Sequence, residues 1–453
     1  MISMTLTEIA RCTQGSLIGA DKTVLGVSID TRSLVEGDLY IAISGEQFDG
    51  HDFISQAEST GAVAVLVAKK VNTKLAQIIV DDTRIALAEL AGAVRDKVQI
   101  KVCAITGSNG KTTVKEMIAA ILAVKYQVLF TQGNLNNDIG VPLTLLKLTA
   151  RQQFAVIEMG ANHRGEITYY CQYAKPDVAV ITNVGAAHIE GFGSIQGVAQ
   201  AKAEIIQALP NEGVAILNAD DVFFAQWQAL AGQRKVISFA LNKPADVTAK
   251  NIATHIDGLQ FVTQFELVAD ENSITISLAL AGKHNVVNAL AAAAACFALG
   301  VGAEQIKQGL EGVKAVNGRL QLFESAAGTK IINDTYNANP ASLAVALEVL
   351  KNSGKECWLA LGAFGELGSD SAQLHADMAE QIKQAGVTRL FAVGEMTANT
   401  VQAFGDGAVF YPQQEDLIVA LQLAITADIV LLVKGSRAQK MERVVNALTN
   451  KAR

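Results

Sequence analysis

The chain lacks the features that mark membrane-spanning, secreted and disulfide-bonded proteins. No uninterrupted apolar run is long enough to cross a bilayer. The N-terminal segment has neither the basic stretch nor the apolar stretch of a signal peptide. The five cysteines are scattered without a Cys-x-x-Cys pair, which indicates small core residues in a reducing compartment rather than disulfides or zinc ligands. These absences favour a cytoplasmic protein without membrane insertion.

Long runs of basic residues are absent as well, and the formal net charge is −7. This charge balance argues against nucleic acid or an anionic membrane as the main partner. Neither internal repeats nor low-complexity segments stand out. At 453 residues the chain is too long for one hydrophobic core, and half of its residues are hydrophobic. We therefore expect an enzyme of about three domains.

The stretch 102–117 has the order of a phosphate-binding site: an apolar strand, a short loop, then Lys-Thr-Thr at the start of a helix. Gly107 and Gly110 lack a Cβ, so backbone N–H groups can close around phosphate oxygens at the positive end of the helix dipole. Lys111 can reach the β- and γ-phosphates, and the Thr112 hydroxyl can bind magnesium. The loop is shorter than the commonest form of the motif, which has a glycine at the position of Ile105. ATP binding is predicted, and an ordinary glycine turn is the alternative.

Strand and helix patterns divide the chain into three α/β units, which we place at residues 1–98, 99–314 and 315–453. The central unit alternates apolar strands with helices, as in a doubly wound, mostly parallel sheet. The last unit is smaller and Rossmann-like. The predicted strands are at 24–29, 38–43, 62–67 and 77–80, then at 101–106, 127–131, 154–159, 178–183, 214–218 and 235–240, and finally at 330–333, 356–361, 389–393 and 429–433. The Ala-rich run 289–303 is predicted to be a buried helix.

Polar residues stand at the carboxyl ends of the central strands, where ligands of such sheets gather. Glu158 ends one strand, Asn183 ends the next, and His188 follows shortly after. Glu158, the Thr112 hydroxyl and ATP oxygens suit magnesium, whereas a histidine ligand would imply a second cation site. Taken singly, Glu158 also fits a helix cap and His188 a loop histidine.

Several other polar segments allow two interpretations. Lys202 lies in a helical run and is, on sequence alone, a solvated lysine. The Asn-rich loop at 134–138 binds a polar substrate or only turns the chain. Asn285 and Asn288 lie one helical turn apart and either hold an adenine edge or cap the helix. The polar loop at 28–32 either binds phosphate or is a surface turn.

Taken together and in order, these motifs resemble the Mur ligases, the ATP-dependent amino-acid-adding enzymes of peptidoglycan synthesis. The resemblance covers nearly the whole chain and is carried by 106–113, 158–160, 182–188, Lys202, 282–288, Gly318-Arg319 and 334–340. Four stretches, 48–53, 133–142, 334–340 and 434–437, are most similar to the member that adds D-alanyl-D-alanine to a UDP-N-acetylmuramoyl tripeptide. The Asp-Asn-Pro-Arg segment typical of the diaminopimelate-adding member is absent.

The resemblance implies a bacterial, cytoplasmic carbon–nitrogen ligase that uses ATP and Mg²⁺, forms an acyl phosphate, and serves cell-wall synthesis, cell shape and cell division. A monomer is expected, with the tripeptide and the dipeptide as its partners. The implied catalytic residues are Lys111, Glu158, His188 and Lys202. The implied metal ligands are Thr112, Glu158, His188 and Lys202, with the lysine as a carbamate, which replaces its interpretation as a solvated side chain.

The resemblance also implies three groups of binding residues. The ATP group is Gly107, Ser108, Asn109, Gly110, Lys111, Thr112, Thr113, Asn285, Asn288, Arg319 and Asp334. The UDP-sugar group is Ser28, Asp30, Thr31, Arg32, Asn134, Asn136 and Asn137. The dipeptide group is Tyr336, Asn337, Asn339, Ser436 and Arg437.

Two positions depart from the family pattern. Ala363 replaces an aspartate in the segment 362–368, and Thr335 stands where serine is commoner. The alternatives are another ligase of the same superfamily, or a protein that couples ATP hydrolysis to conformational change without forming a bond. Whether the third residue of the acceptor is diaminopimelate or lysine stays open.

Overall fold

The structure is a computed structural model that describes residues 1–45, 48–185, 189–270, 272–353, 355–365, 367 and 370–449. Within this part of the chain, strands and helices build three α/β units, as the sequence predicts. The helices in these residues are all too short or too polar to cross a membrane. His188, a predicted metal ligand, lies outside the described residues.

The first unit is a mostly parallel sheet flanked by helices. Its elements are β1 Met4–Thr5, α1 Leu6–Cys12, β2 Ser16–Ile18, β3 Thr23–Val24, β4 Gly26–Ser28, β5 Asp38–Ile41, α2 Ile54–Thr60, β6 Ala64–Val67, β7 Ala76–Ile79 and α3 Thr83–Asp96. The sheet order is β2-β7-β6-β5-β4, with β2 antiparallel at one edge. The predicted strand 24–29 is divided because β3 pairs with β1, whereas β4 pairs with β5.

The second unit has a larger sheet in the order β16-β15-β14-β13-β12-β11-β8-β10-β9. Its strands are β8 Lys101–Thr106, β9 Val128–Phe130, β10 Phe154–Glu158, β11 Val178–Ile181, β12 Val214–Asn218, β13 Lys235–Phe239, β14 Val247–Asp257, β15 Gln260–Ala269 and β16 Asn272–Leu278. Its helices are α4 Lys111–Ala123, α5 Gly140–Leu145, α6 Glu166–Ala174, α7 Ile189–Phe192, α8 Ile195–Gln207, α9 Phe224–Ala231, α10 Gly282–Ala298 and α11 Ala303–Glu311.

Two features of this unit differ from the sequence prediction. The antiparallel strands β14, β15 and β16 were not predicted. Most side chains of β14 are exposed, but β15 buries every second residue from Phe261 to Leu267, which is the alternation typical of a half-buried strand. The Ala-rich segment is buried, but its helix ends at Ala298, and Gly300 with φ +84° separates it from α11. Gly300 takes this left-handed conformation readily, so the chain turns there instead of continuing the helix.

The third unit has the sheet order β17-β18-β22-β19-β20-β21, in which β17 is the antiparallel edge. Its strands are β17 Gln321–Glu324, β18 Lys330–Asp334, β19 Glu356–Gly362, β20 Val387–Val393, β21 Ala408–Tyr411 and β22 Ile429–Lys434. Its helices are α12 Pro340–Lys351, α13 Ser371–Gln384, α14 Thr397–Phe404, α15 Gln414–Ala424 and α16 Glu442–Leu448.

The hydrophobic core of the first unit continues into one face of the central sheet. Leu87 and Leu90 of α3 belong to the same buried cluster as Ala104 of β8 and Ile157 of β10. The opposite face of the central sheet packs against α4, α10 and α11 in a second cluster. The phosphate-loop helix α4 therefore packs on this face beside α10 and α11, which fixes the start of α4 relative to the strand ends.

Candidate active site

The loop between β8 and α4 requires glycine at two positions. At Gly107, with φ +152°, an added Cβ would lie 1.8 Å from Thr182 Oγ1. At Gly110, with φ +83°, a Cβ would lie 2.4 Å from Asn288 Oδ1. Both distances are far below van der Waals contact. The helix begins at Lys111, as predicted, so its first N–H groups face the space in front of the loop.

Asn183, at the end of β11, holds the loop in place. Its Oδ1 accepts a hydrogen bond from Asn109 N at 3.0 Å, and its Nδ2 donates to Asn109 O at 3.1 Å. The Thr182 hydroxyl donates to the same carbonyl at 2.6 Å. Asn183 therefore fixes the loop backbone, a role that its position at a strand end indicated only in general terms.

The loop lysine lies folded over its own loop. Lys111 Nζ donates to the carbonyl of Gly107 at 2.7 Å. Burial lowers the pKa of Lys111, the charge of Glu158 opposes that shift, and the charge of Arg319 adds to it. A hydrogen bond to a neutral carbonyl is weaker than one to an ionised acceptor, so the Lys111 ammonium group can exchange this carbonyl for anionic phosphate oxygens.

Glu158 ends β10 and is 2% exposed. Its Oε1 accepts hydrogen bonds from Asn136 Nδ2 at 2.8 Å and from Thr112 Oγ1 at 3.3 Å. Its Oε2 is buried and has no hydrogen-bond partner. Glu158 does not cap a helix, so that alternative is wrong. An unpartnered buried carboxylate oxygen beside a threonine hydroxyl suits a hard cation.

Lys202 on α8 is buried, with 3% exposure, so the interpretation from sequence alone as a solvated lysine is wrong. Burial, with a smaller effect of the Lys111 charge, lowers the pKa of Lys202 well below its ordinary value. The neutral amine is the form that reacts with carbon dioxide, so this environment suits the predicted carbamate.

A cavity of about 380 Å³ lies between the phosphate loop, the start of α10 and the third unit. Its wall includes eight of the predicted or newly found polar residues: Asn109, Thr113, His284, Asn285, Asn288, Arg319, Asp334 and Lys434. Asn285 Nδ2 donates to Ala281 O at 2.8 Å, and Asn288 Nδ2 donates to Asn285 Oδ1 at 3.2 Å. This pair therefore does not cap α10. Its amides face a cavity of a size that suits a nucleoside.

Two charged groups of this cavity come from the third unit. Asp334 Oδ2 accepts from Lys434 Nζ at 2.5 Å, and Lys434 is almost fully buried. Next to this pair, burial lowers the pKa of His284 to about 4, opposed by Asp334 and assisted by Lys434. Neither His284 nor Lys434 was among the predicted site residues. Their strand-end and helix-start positions were the available signals.

Arg319 bridges the central and third units. Its Nη2 donates to Thr112 Oγ1 at 3.3 Å, and its guanidinium carbon lies 4.4 Å from the centre of the Tyr336 ring. Its Nε is buried and has no hydrogen-bond partner. Arg319 therefore presents a charge beside the phosphate loop and retains a free donor there.

A second cavity of about 720 Å³ opens on the other side of Arg319 and Tyr336. It brings together residues that are far apart in sequence: Ser108, Asn134, Asn136, Asn137, Glu158, Lys202, Asn337, Asn339, Ser436 and Arg437. The predicted dipeptide group therefore lies across this cavity from the Asn-rich loop and from Glu158. Arg437 is mostly exposed and pairs with Glu442 at 3.1 Å, which leaves its guanidinium accessible.

The predicted UDP-sugar residues fall into two places. Asn134, Asn136 and Asn137 line the second cavity. Ser28, Asp30, Thr31 and Arg32 line neither cavity and form a turn after β4. Arg32 Nη2 binds Asp30 Oδ2 at 2.6 Å and is 86% exposed. Ser28 and Thr31 are buried, so only Asp30 and Arg32 of these four residues are accessible to a ligand, and the structure does not join the turn to the cavities.

The comparisons with known proteins cover almost the whole chain. Three family models match: "Mur ligase family, catalytic domain" at 23–104, "Mur ligase middle domain" at 105–296, and "Mur ligase, glutamate ligase domain" at 318–437. The chain is 45% identical over 451 residues to UDP-N-acetylmuramoyl-tripeptide–D-alanyl-D-alanine ligase of Escherichia coli, with 99% of each chain covered. It is 37% identical to the ligase of the same name from Bacillus subtilis over 99% of each.

Solved structures show the same likeness. A crystal structure of MurF from Acinetobacter baumannii has a TM-score of 0.92 at 36% identity, with 99% of each chain covered. A MurF ligase from Thermotoga maritima in complex with ADP has a TM-score of 0.83 at 28% identity, covering 94% of this chain and 97% of that one.

Proposed function

The chain belongs to the Mur ligase family, and from that premise we propose that it adds D-alanyl-D-alanine to a UDP-N-acetylmuramoyl tripeptide with consumption of ATP. The observation that carries this proposal is the full-length likeness to ligases of that name. The two adjoining cavities fit such a reaction, because one suits a nucleoside and the other is lined by residues proposed to bind the metal, the acceptor and the dipeptide, beside the same arginine.

The residues around Glu158 fit magnesium. The buried Oε2 without a partner, the Thr112 hydroxyl and the buried Lys202 supply the oxygen donors, the lysine after carbamate formation. In the described residues, no cluster of three or more His, Cys, Asp and Glu side chains could hold a metal alone, so nucleotide oxygens would complete the site. Bound Mg²⁺ would neutralise phosphate charge.

The first chemical step joins the tripeptide carboxylate to the γ-phosphate and releases ADP, giving an acyl phosphate. A carboxylate that approaches a polyanion meets repulsion, which the positive charges of Lys111 and Arg319 beside the phosphate loop would reduce. Asn285, Asn288 and Asp334 would hold the nucleoside. The chain supplies no covalent nucleophile in this scheme, so no acyl-enzyme is expected.

In the second step, the neutral amine of the dipeptide attacks the acyl carbon, the bond from that carbon to the phosphate oxygen breaks, and phosphate leaves with the proton that the amine loses. Asn337, Asn339, Ser436 and Arg437 would orient the dipeptide from the third unit, with the Arg437 guanidinium suited to its carboxylate. Asn134, Asn136 and Asn137, with the turn at 28–32, would hold the UDP-sugar.

The remaining expectations stay predictions. They are the domain boundaries 1–98, 99–314 and 315–453, the metal role of His188, a monomeric state and a location in the bacterial cytoplasm. Each concerns the same proposed enzyme, and none is needed for the reaction scheme.

The deciding experiment measures ADP release from ATP, Mg²⁺ and UDP-N-acetylmuramoyl tripeptide, with and without D-alanyl-D-alanine. We expect release that requires the dipeptide, with a pentapeptide product by mass spectrometry. Release that requires a different amine would assign the chain to another ligase of the family. Release that is indifferent to both substrates would contradict ligation and favour hydrolysis coupled to conformational change.

A further inference from the structure

Lys115 is a fully buried charged residue that the reaction scheme does not use. Its side chain has no exposed surface, although it lies on the phosphate-loop helix α4. It is three residues after Thr112, so the two side chains share a face of the helix. Burying an ammonium group is costly, and a hydrocarbon side chain would pack there more cheaply. The contacts of Lys115 therefore require an explanation.

The main hydrogen-bond partner of Lys115 is Thr131. Its Nζ donates to the backbone carbonyl of Thr131 at 2.6 Å. The same nitrogen lies 2.8 Å from Glu116 Oε1 and 5.7 Å from the centre of the Phe130 ring. The Glu116 carboxylate, which lies on α4 itself, balances the charge. The Thr131 carbonyl lies just after β9, so this hydrogen bond ties α4 to the segment that follows β9.

Thr131 is itself fully buried and connects helix α4, strand β10 and the Asn-rich loop. Its backbone N donates to Val156 O at 3.1 Å, which extends the pairing of β9 with β10. Its side-chain oxygen accepts from Glu158 N at 3.0 Å. Thr131 also begins the segment that leads to Asn136, whose Nδ2 donates to Glu158 Oε1 at 2.8 Å.

Two residues of α4 therefore hold Glu158, one at its carboxylate and one at its backbone. Thr112 contacts its carboxylate directly, and Lys115 reaches its backbone through Thr131. The carboxylate oxygen that these contacts leave without a partner is Oε2. Fixing the backbone and one oxygen sets the direction in which the other oxygen points. Such outer contacts commonly orient metal-binding carboxylates.

We propose that Lys115 is a positioning residue that, through Thr131, aims the Glu158 carboxylate and the Asn-rich loop at the metal site. This inference rests on the proposed function, because it assumes that Glu158 binds Mg²⁺. Lys115 itself touches neither nucleotide nor metal in this arrangement. It ties the phosphate loop and the metal ligand into one rigid unit.

The test is isothermal titration calorimetry of a non-hydrolysable ATP analogue, with and without Mg²⁺. Lys115→Met keeps an unbranched apolar side chain that is one atom shorter and removes the donor. We expect the variant to bind the analogue normally without Mg²⁺ and to lose about 10- to 100-fold of the affinity that Mg²⁺ adds. In the ligase assay, the Mg²⁺ concentration for half-maximal rate should rise, while KM for the dipeptide stays unchanged.

A second pair of variants tests the hydrogen bond between Thr131 and Glu158. Thr131→Val removes the oxygen that accepts from Glu158 N, whereas Thr131→Ser keeps it. Thr131→Val should reproduce the Mg²⁺ defect, and Thr131→Ser should bind Mg²⁺ and nucleotide like the wild type. The double variant Lys115→Met with Thr131→Val should be no worse than either change alone, because both interrupt one connection.

Gln305→Leu is the matched control. Gln305 is a buried residue of α11, and its Nε2 donates to Ile121 O at 2.9 Å, on the same helix α4 that carries Lys115. This variant should lose stability without changing the effect of Mg²⁺. The inference fails if Lys115→Met changes the Mg²⁺ effect no more than this control does, or if Thr131→Val and Thr131→Ser behave alike. A wild-type chain whose analogue affinity ignores Mg²⁺ overturns the metal site and this inference, while the ADP-release assay reports on ligation separately.

Discussion

The Asn339 side chain donates a hydrogen bond from Nδ2 to Asn109 Oδ1 of the phosphate loop at 3.0 Å, although the two residues are 230 positions apart. Asn339 is also the N-cap of α12, where its Oδ1 accepts from Ser342 N at 2.8 Å. One amide group therefore starts a helix of the third unit and joins that unit to the nucleotide site. The contact with the dipeptide that the resemblance implies for Asn339 stays a prediction beside these two roles.

Replacing Asn339 separates these two roles. Asn339→Ser keeps a good N-cap but is too short to reach Asn109, whereas Asn339→Ala loses both contacts. We expect Asn339→Ala, and not Asn339→Ser, to reduce the free energy of unfolding by about 0.5–2 kcal/mol. Both variants should reduce kcat/KM for ATP by about 2- to 12-fold, as loss of one hydrogen bond predicts. Urea unfolding and steady-state kinetics measure the two effects. A specific rise in KM for the dipeptide in both variants would instead support direct contact with that substrate.

Tyr336 is expected to act through Arg319. The ring stacks on the guanidinium and lines both cavities. Tyr336→Phe keeps the stacked ring, so its KM for ATP and its kcat should stay close to the wild type. Tyr336→Leu should lose about 2- to 30-fold in kcat/KM for ATP, the range expected for a cation–π contact. If Tyr336→Phe raises KM for the dipeptide, the hydroxyl binds that substrate, as the resemblance implied.

His284 should make stability depend on pH. Its pKa is lowered to about 4 in the folded chain from an ordinary value of 6.5. As the pH falls below 6.5, the unfolded chain therefore binds the proton first, and stability is lost until the pH reaches about 4. Allowing for partial solvent exposure, the loss is about 2 kcal/mol.

Urea unfolding between pH 7 and pH 4 measures this effect. His284→Gln can still accept a hydrogen bond but does not titrate, so its stability should fall less steeply with acid than that of the wild type. His255, which is exposed on β14, provides the matched control as His255→Gln. Equal acid dependence of both variants and the wild type would contradict the burial of His284 in the folded chain.

The sequence predicted what short-range patterns determine. The glycine loop and the helix start at Lys111 follow from local backbone requirements, and the structure reproduces both. The parallel strands of the central sheet follow from continuous apolar runs. The antiparallel strand β14 was missed because most of its side chains are exposed, whereas the regular alternation in β15 was an available strand signal that the prediction did not use.

The long-range contacts of the site were beyond sequence patterns. Glu158 is next to Asn136 and Thr112 because three separate segments meet at one sheet edge, and periodicity does not show which segments meet. Burial of Lys202 was missed for the same reason. The side chain lies in an amphipathic helix, and only the packing of α8 decides that this position faces inward. The resemblance to a family supplied what the pattern could not.

Lys202 provides the sharpest test of the metal chemistry. Burial lowers the pKa of Lys202, which favours the neutral amine that forms a carbamate, and a carbamate would give the site a second anionic ligand beside Glu158. Lys202→Ala removes this group and leaves space behind. Loss of a metal ligand should reduce kcat by about 100-fold or more, since a bound cation contributes several kcal/mol to stabilising charge in the transition state.

Short carboxylic acids such as acetate or propionate should restore part of the activity of Lys202→Ala, because their carboxylate can occupy the place of the carbamate. The same acids should not accelerate the wild type or Lys243→Ala, which removes an exposed lysine. Restoration that saturates with acid concentration would identify a bound carboxylate, whereas restoration by chloride at equal ionic strength would point to screening alone. An active Lys202→Ala enzyme would remove this residue from the mechanism and leave Glu158 and Thr112 as the protein ligands of the described site.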